Sequence, residues 1–114
     1  MNHTALAGAK RDDEPLLQEC KAAIRRIAPE ATVILYGSRA RRDSEPQSDY
    51  DVLVLVDGEV QSELEDRIGD ALYEVELEHG AIVSEIVLSR QHWNEPRYKA
   101  LPLHQDIDRH GVLL

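Results

Sequence analysis

The chain has few of the residues that cross-link or bulk out small proteins. Its 114 residues include no phenylalanine, one methionine, one tryptophan and one cysteine, Cys20. A lone cysteine cannot form an internal disulfide and has no cysteine partner for a zinc site, so we expect Cys20 to pack on a helix. No apolar run approaches the roughly 18 residues of a membrane span, and the first 15 residues lack the apolar stretch of a secretory signal. We therefore expect a cytoplasmic protein with no membrane partner.

Positive charge is also scarce. There are 13 Lys and Arg residues against 22 Asp and Glu, which gives a net charge of −9. Nucleic-acid-binding proteins neutralise phosphates with Lys and Arg, so nucleic acid is not an expected partner. The bases that exist are clustered, because Arg39, Arg41 and Arg42 directly follow Gly37-Ser38. A basic patch close to acidic residues is typical of a site that handles metal and phosphate together.

Hydrophobic periodicity predicts one α/β domain over residues 12–114, preceded by a flexible tail over residues 1–11. The predicted sheet is small and is flanked by helices. Leu77 is expected to face inward with the other apolar residues of the long helix. The predicted helices cover about 12–27, 59–79, 90–94 and 102–109, with one helical turn at 38–42, and the predicted strands cover 31–36, 50–56, 81–88 and the edge segment 111–114.

Two acidic residues stand at the start of the second predicted strand. Asp49 and Asp51 are separated by one residue, so alternation along a strand places both on one face, with Cα atoms about 6.5–7 Å apart. Bare carboxylates at this separation repel each other and raise each other's pKa, and a bound cation removes that penalty. Carboxylate oxygens are the ligands that Mg²⁺ prefers. The pattern therefore predicts a metal site at Asp49 and Asp51.

Gly37-Ser38 ends the first predicted strand. Glycine has no Cβ, so the backbone can turn sharply there and approach a phosphate closely. A helical turn that begins at Ser38 would direct free N–H groups at that anion, and the serine hydroxyl adds a donor. Arg39 or Arg42, whichever faces inward, is expected to contact the phosphates, and Arg42 is favoured.

The whole segment LYGSRARRDSEPQSDYDVLVLV resembles the DNA polymerase β-like nucleotidyltransferase superfamily, and specifically its minimal, single-domain branch. The shared pattern is a hydrophobic strand, Gly-Ser, about ten residues, and Asp-x-Asp in the next strand; the C-terminal PLHQDIDRHGVLL is also similar to the family. The resemblance covers about residues 30–114. It implies a mixed sheet flanked by helices, Mg²⁺ at Asp49 and Asp51, and nucleotide phosphates at Gly37-Ser38. It also implies transfer of a nucleotidyl group, usually from ATP, to a hydroxyl.

The resemblance further implies a third carboxylate on a later strand. The corresponding strand here reads GAIVSEIVLS, and its only acid is Glu85. Glutamate is one methylene longer than aspartate, so Glu85 could complete the metal site or could equally be a solvent-facing residue. If Glu85 is not a ligand, the domain could bind nucleotide with little or no turnover.

The resemblance also implies a class of partner that supplies the acceptor hydroxyl. Many minimal members resemble antitoxins that adenylylate a helical ribonuclease toxin, so we expect such a partner protein, or a second copy of this chain, to complete the acceptor side. The alternatives are a catalytically silent nucleotide-binding module that acts by contact, and a small-molecule nucleotidyltransferase.

The remaining polar and aromatic residues carry weaker expectations. His92, His104 and His110 lack a metal-site spacing and are expected at the surface. Tyr36 and Tyr50 flank the motif, and either could lie near the adenine or fill core.

Overall fold

The structure, a computed structural model, describes residues 13–114 and contains a four-stranded mixed sheet with helices on both faces. The predicted tail over residues 1–11 lies outside the described residues. The strands are β1 (Thr32–Tyr36), β2 (Tyr50–Val56), β3 (Val83–Ser89) and β4 (Val112–Leu113). The helices are α1 (Glu14–Ile27), α2 (Ser38–Arg41), α3 (Ser62–His79), α4 (Arg90–Trp93), α5 (Pro96–Lys99) and α6 (Pro102–His110). The predicted fold class is confirmed, and only α5 has no counterpart among the predicted elements.

Proline and glycine mark the ends of two helices. Pro15 lies in the first turn of α1, where its missing N–H costs nothing, and Gly80 ends α3 in the left-handed conformation. Cys20 is fully buried on α1 as expected, and burial raises the pKa of its thiol to about 12. None of the helices within residues 13–114 is long and apolar enough to cross a membrane.

The sheet has the order β3-β2-β1-β4, with β2 antiparallel to β1 and parallel to β3. Alternate residues of a strand point to opposite faces. Val52, Val54 and Val56 accordingly join the larger core under α1 and α3. Leu53 and Leu55 point the other way and form a smaller core with Ile34, Trp93 and Ile107. Asp51 shares the face of Leu53, so it belongs to the side that α4, α5 and α6 cover.

The register of β3 separates Glu85 from the aspartates. Glu85 pairs with Val52, whereas Ser84 pairs with Asp51. Paired residues of neighbouring strands share a face, so Glu85 lies on the α3 side of the sheet. A Cβ added to Gly69 of α3 would stand 3.2 Å from Glu85 Oε1. The expectation that Glu85 completes the metal site is corrected: the structure does not bring it to Asp49 and Asp51.

Two other side chains lie where sequence pattern did not predict them. Leu77 was expected inward but is 61% exposed on α3. His104 was expected at the surface but is buried, stacked on Trp93, with its ring nitrogens bonded to Asp108 and to the Trp93 carbonyl. His92 and His110 are exposed as predicted.

The smaller core should hold α6 on the sheet. Ile107 is fully buried there, whereas Leu101, just before α6, is 44% exposed. We expect Ile107→Ala to lower the free energy of unfolding by about 2–5 kcal/mol, because it leaves a cavity, and Leu101→Ala to change it by less than about 0.5 kcal/mol. Denaturant unfolding of the two variants measures the difference; equal losses would contradict this packing.

The position of Glu85 predicts a pH-dependent effect on stability. Burial, with a smaller contribution from Glu76, raises the pKa of Glu85 above its ordinary value of 4.5. The folded state thus favours the protonated form of Glu85. The contribution of protonated Glu85 to the free energy of unfolding is present at low pH and is lost as the pH rises through the folded-state pKa. Glu85→Gln should therefore gain stability relative to the wild type at pH 7 but not at pH 4, whereas exposed Glu65→Gln should not. Thermal unfolding at both pH values tests this, and a gain that does not depend on pH would contradict it.

Candidate functional site

The turn between β1 and α2 brings a glycine against an acid. Gly37 has a φ of 76°, a conformation that favours glycine, and an added Cβ would stand 2.5 Å from Asp51 Oδ2. The antiparallel pairing produces this contact, since Tyr36 lies opposite Asp51. Two features therefore favour glycine at position 37: the positive φ of the backbone, and the Asp51 carboxylate, which occupies the space that a Cβ would need.

Asp51 and Asp49 form the acidic pair that their spacing predicts. Asp51 is half-buried in β2, and Asp49 is exposed just before the strand begins. Burial raises the pKa of Asp51, the neighbouring Asp49 raises it further, and Arg41 lowers it. Asp49 is thus close enough to disfavour the charged form of Asp51, which is the environment that a cation would relieve.

Arg41, rather than Arg39 or Arg42, is the arginine whose charge lowers the pKa of Asp51. Its Nε donates a hydrogen bond to Asp43 Oδ2 at 3.2 Å. Its Nη1 lies 3.5 Å from Oδ2 of Asp106, which belongs to α6. Asp43 and, from α6, Asp106 therefore hold the guanidinium that lowers the pKa of Asp51. Sequence reasoning missed Arg41 and Asp106, although the C-terminal segment that contains Asp106 was part of the family resemblance.

Arg39 is buried and contacts the loop that precedes β2. Its guanidinium donates to the carbonyl oxygens of Pro46 and Ser48 at 3.1 and 2.9 Å and lies 4.3 Å from the ring centroid of Tyr50. It is also 3.7 Å from Asp13, to which the Tyr50 hydroxyl donates at 2.7 Å. This buried side chain fastens the loop that leads to Asp49, and its role in binding phosphate stays a prediction.

Ser38 and Arg42 occupy the two ends of α2. Ser38 begins the helix beside Gly37 and is half-buried, and the exposed Arg42 follows the last turn with a φ of 64°. Their roles in binding phosphate stay predictions.

Two further residues flank Asp51 in the sheet. Tyr36 of β1 lies opposite it, and burial together with the Asp51 charge raises the pKa of the Tyr36 hydroxyl. Ser84 of β3 lies beside it on the other side. Tyr36 is therefore a site-face residue, whereas Tyr50 is buried on the α1 and α3 face.

The donor set fits Mg²⁺. Asp49 and Asp51 supply hard carboxylate oxygens, and the absence of a side chain at Gly37 leaves room for one of them. Mg²⁺ is commonly held by one or two carboxylates together with substrate phosphates and water, so two aspartates are sufficient protein ligands. A third ligand from β3 is not needed for binding.

Another group of metal-ligating side chains lies elsewhere. Within residues 13–114, Glu19, Glu78 and His79 each offer a ligand atom, and these atoms lie within 4.8 Å of one another. His79 Nε2 is 2.8 Å from Glu19 Oε2, so this cluster joins α1 to α3 as an ion pair when the histidine is protonated. It is distinct from the aspartate pair.

Comparison with known proteins identifies the family. No curated protein matches the chain. The nucleotidyltransferase domain family, however, matches residues 17–107 of the 114 residues. That range contains the glycine turn, both aspartates, Arg41 and Asp106. The chain therefore belongs to the nucleotidyltransferase domain family.

Proposed function

We propose that the protein is a Mg²⁺-dependent nucleotidyltransferase that moves AMP from ATP to a hydroxyl of a partner protein in the cytoplasm. The observation that carries the proposal is the aspartate pair, of which Asp51 packs against Gly37, within a domain of this family. In the proposed reaction the acceptor oxygen attacks the α-phosphorus, the bond to the leaving pyrophosphate breaks, and the hydroxyl proton passes to water.

The side chains divide the work by position. Asp49 and Asp51 would hold Mg²⁺, which supplies charge neutralisation for the phosphates when bound. Gly37 and Ser38 would let the triphosphate approach the backbone of the turn. Arg41, held by Asp43 and Asp106, would orient phosphate oxygens, and the exposed Arg42 is a second cation within reach of the turn. Arg39 would act only through the loop.

Charge supports a protein acceptor of the toxin class. A ribonuclease toxin must bind RNA and therefore needs a basic surface. This chain carries a net charge of −9, so electrostatic attraction would favour their association. We propose an antitoxin-like role in which modification of a toxin hydroxyl neutralises a helical ribonuclease.

One observation favours a second candidate, a silent nucleotide-binding module that acts by contact. Ser84 stands beside Asp51 in β3, so this strand offers no carboxylate on the site face to act as general base. Such a module would bind the nucleotide and the partner without transfer.

The aspartate pair gives the central prediction. We expect Asp49→Asn/Asp51→Asn to abolish Mg²⁺-dependent ATP binding, measured by calorimetry, because both carboxylate charges are lost, while thermal unfolding stays cooperative. Glu85→Gln is the matched control and should bind ATP as the wild type does, since Glu85 lies on the other face.

The same proteins decide between the two candidate functions. Labelled AMP should pass from α-labelled ATP to the product of the neighbouring gene with the wild type and Glu85→Gln, but not with the double variant. ATP binding without transfer by the wild type would favour the silent module. Unchanged ATP binding by the double variant would contradict the metal site.

Gly37 gives a prediction with an internal control. Gly37 and Gly58 have nearly equal φ values of 76° and 77°, but an added Cβ meets Asp51 at position 37 and nothing within 4 Å at position 58. Both alanine variants should lose about 1–2 kcal/mol of stability from the positive φ. Gly37→Ala should lose more, because the ψ of −158° at Gly37 lies in a region that only glycine adopts readily and the added Cβ meets Asp51. Only Gly37→Ala should also weaken Mg²⁺-ATP binding, by at least about tenfold, because it displaces a carboxylate. Equal ATP affinities in calorimetry would show that the glycine serves the turn alone.

A further inference from the structure

Three large apolar side chains are exposed side by side at the β3 edge of the sheet. Tyr73, Leu77 and Ile82 are 57%, 61% and 60% exposed. Tyr73 and Leu77 are four residues apart on α3 and therefore neighbours on its surface. Together with Ile82 they line one shallow groove, which we call the α3–β3 patch. Solvated apolar side chains that cluster in this way mark an interaction site.

The surface around the patch is strongly acidic. Helical spacing places Asp66 and Asp70 on the same stripe of α3 as Tyr73 and Leu77, and both aspartates are exposed. The stripe from Asp66 to Leu77 is about 16 Å long at 1.5 Å per residue. In all, α3 carries seven acidic residues against one arginine, Arg67. A ligand that covers this stripe must therefore be apolar at one end and basic at the other.

The patch adjoins the loop that leads into the candidate active site. The Ile82 carbonyl accepts a hydrogen bond from Tyr50 N at 2.9 Å, and the residue before Tyr50 is Asp49. Ile82 also lines a cleft with Pro46, Gln47 and Ser48, the loop that leads into Asp49. A molecule that is bound at the patch therefore lies beside the loop that positions the first aspartate.

Charge selects among possible occupants. A second copy would place one acidic α3 against another acidic surface, since each chain carries a net charge of −9. Anionic lipid headgroups and nucleic-acid phosphates would be repelled for the same reason. A basic protein surface is attracted, and an amphipathic helix fits a straight stripe of apolar and acidic side chains.

We propose that the α3–β3 patch is the docking surface for the acceptor protein, and that the docking segment is a basic amphipathic helix. The identity of the docked protein as the acceptor rests on the proposed function. Tyr73 and Leu77 are the apolar anchors, and Asp66 and Asp70 pair with the basic end of the helix. Docking on α3 leaves the opposite face of the sheet, with Asp51, free to hold the nucleotide.

A synthetic peptide tests the docking surface without ATP or Mg²⁺. The probe is an amphipathic helix of about 18 residues, with leucines at i, i+4 and i+7 and lysines beyond them, and the matched peptide has glutamate for lysine. Fluorescence anisotropy should show that the lysine peptide binds the whole chain and that about 0.5 M salt weakens binding. Tyr73→Ser/Leu77→Ser should weaken binding at least about tenfold, because aromatic and apolar anchors dominate such interfaces. Leu101→Ser, at an exposed leucine outside the patch, should not.

The outcomes separate docking from catalysis. Asp49→Asn/Asp51→Asn should bind the peptide as the wild type does, although it transfers no AMP. A wild type that binds the peptide but transfers no AMP would refute the proposed function and keep the docking surface. Equal binding of both peptides, or an equal effect of the patch and Leu101 variants, would overturn the docking proposal. Sedimentation that shows a dimer lost in Tyr73→Ser/Leu77→Ser would overturn it in favour of a second copy.

Discussion

The antiparallel pairing of β1 with β2 is the constraint on which the site depends. It sets Tyr36 opposite Asp51, so the turn that follows Tyr36 must pass directly over that carboxylate. A one-residue slip would send Asp51 into the apolar core under α1 and α3 and bring Val52 to the site face. The valines of β2 oppose such a slip, because they would leave that core. The hydrophobic pattern of one strand therefore fixes the position of its acidic residue.

The polar residues around the pair then fall into two groups according to face. Arg39, Tyr50 and Asp13 contact one another beneath the loop and hold its path, while Arg41 pairs with Asp106 of α6. Neighbouring arginines on one helical turn thus do different work, one buried against an aromatic ring and one beside the aspartates. The loop that leads to Asp49 can be polar and irregular, because the guanidinium of Arg39 donates hydrogen bonds to the carbonyl oxygens of Pro46 and Ser48.

Most of the fold and the acidic pair Asp49 and Asp51 could be predicted from sequence, because both depend on the local spacing of residue types. Apolar spacing gave the strands and helices, and Asp-x-Asp put two acids on one face. Alternation also divided β3 into two sets of residues, but only the register with β2 shows that Ser84, not Glu85, joins the aspartates. Likewise, the phase of α2 decides between Arg39 and Arg41. Asp106 approaches the site through tertiary packing of α6, which no local pattern reports.

The unequal cores on the two faces have a consequence for motion. Among residues 13–114, the core under α1 and α3 contains 21 buried residues, whereas that on the site face contains five. Local opening costs least where few apolar contacts are lost, so α6 can detach from the sheet at a lower free energy than α1 or α3. Asp51 stands on β2, which packs into both cores, whereas Asp106, one of the two carboxylates that hold Arg41, belongs to the layer that opens at lower cost. The site thus combines an acidic residue on a rigid strand with a cation that can lose one of its two restraints by subglobal fluctuation.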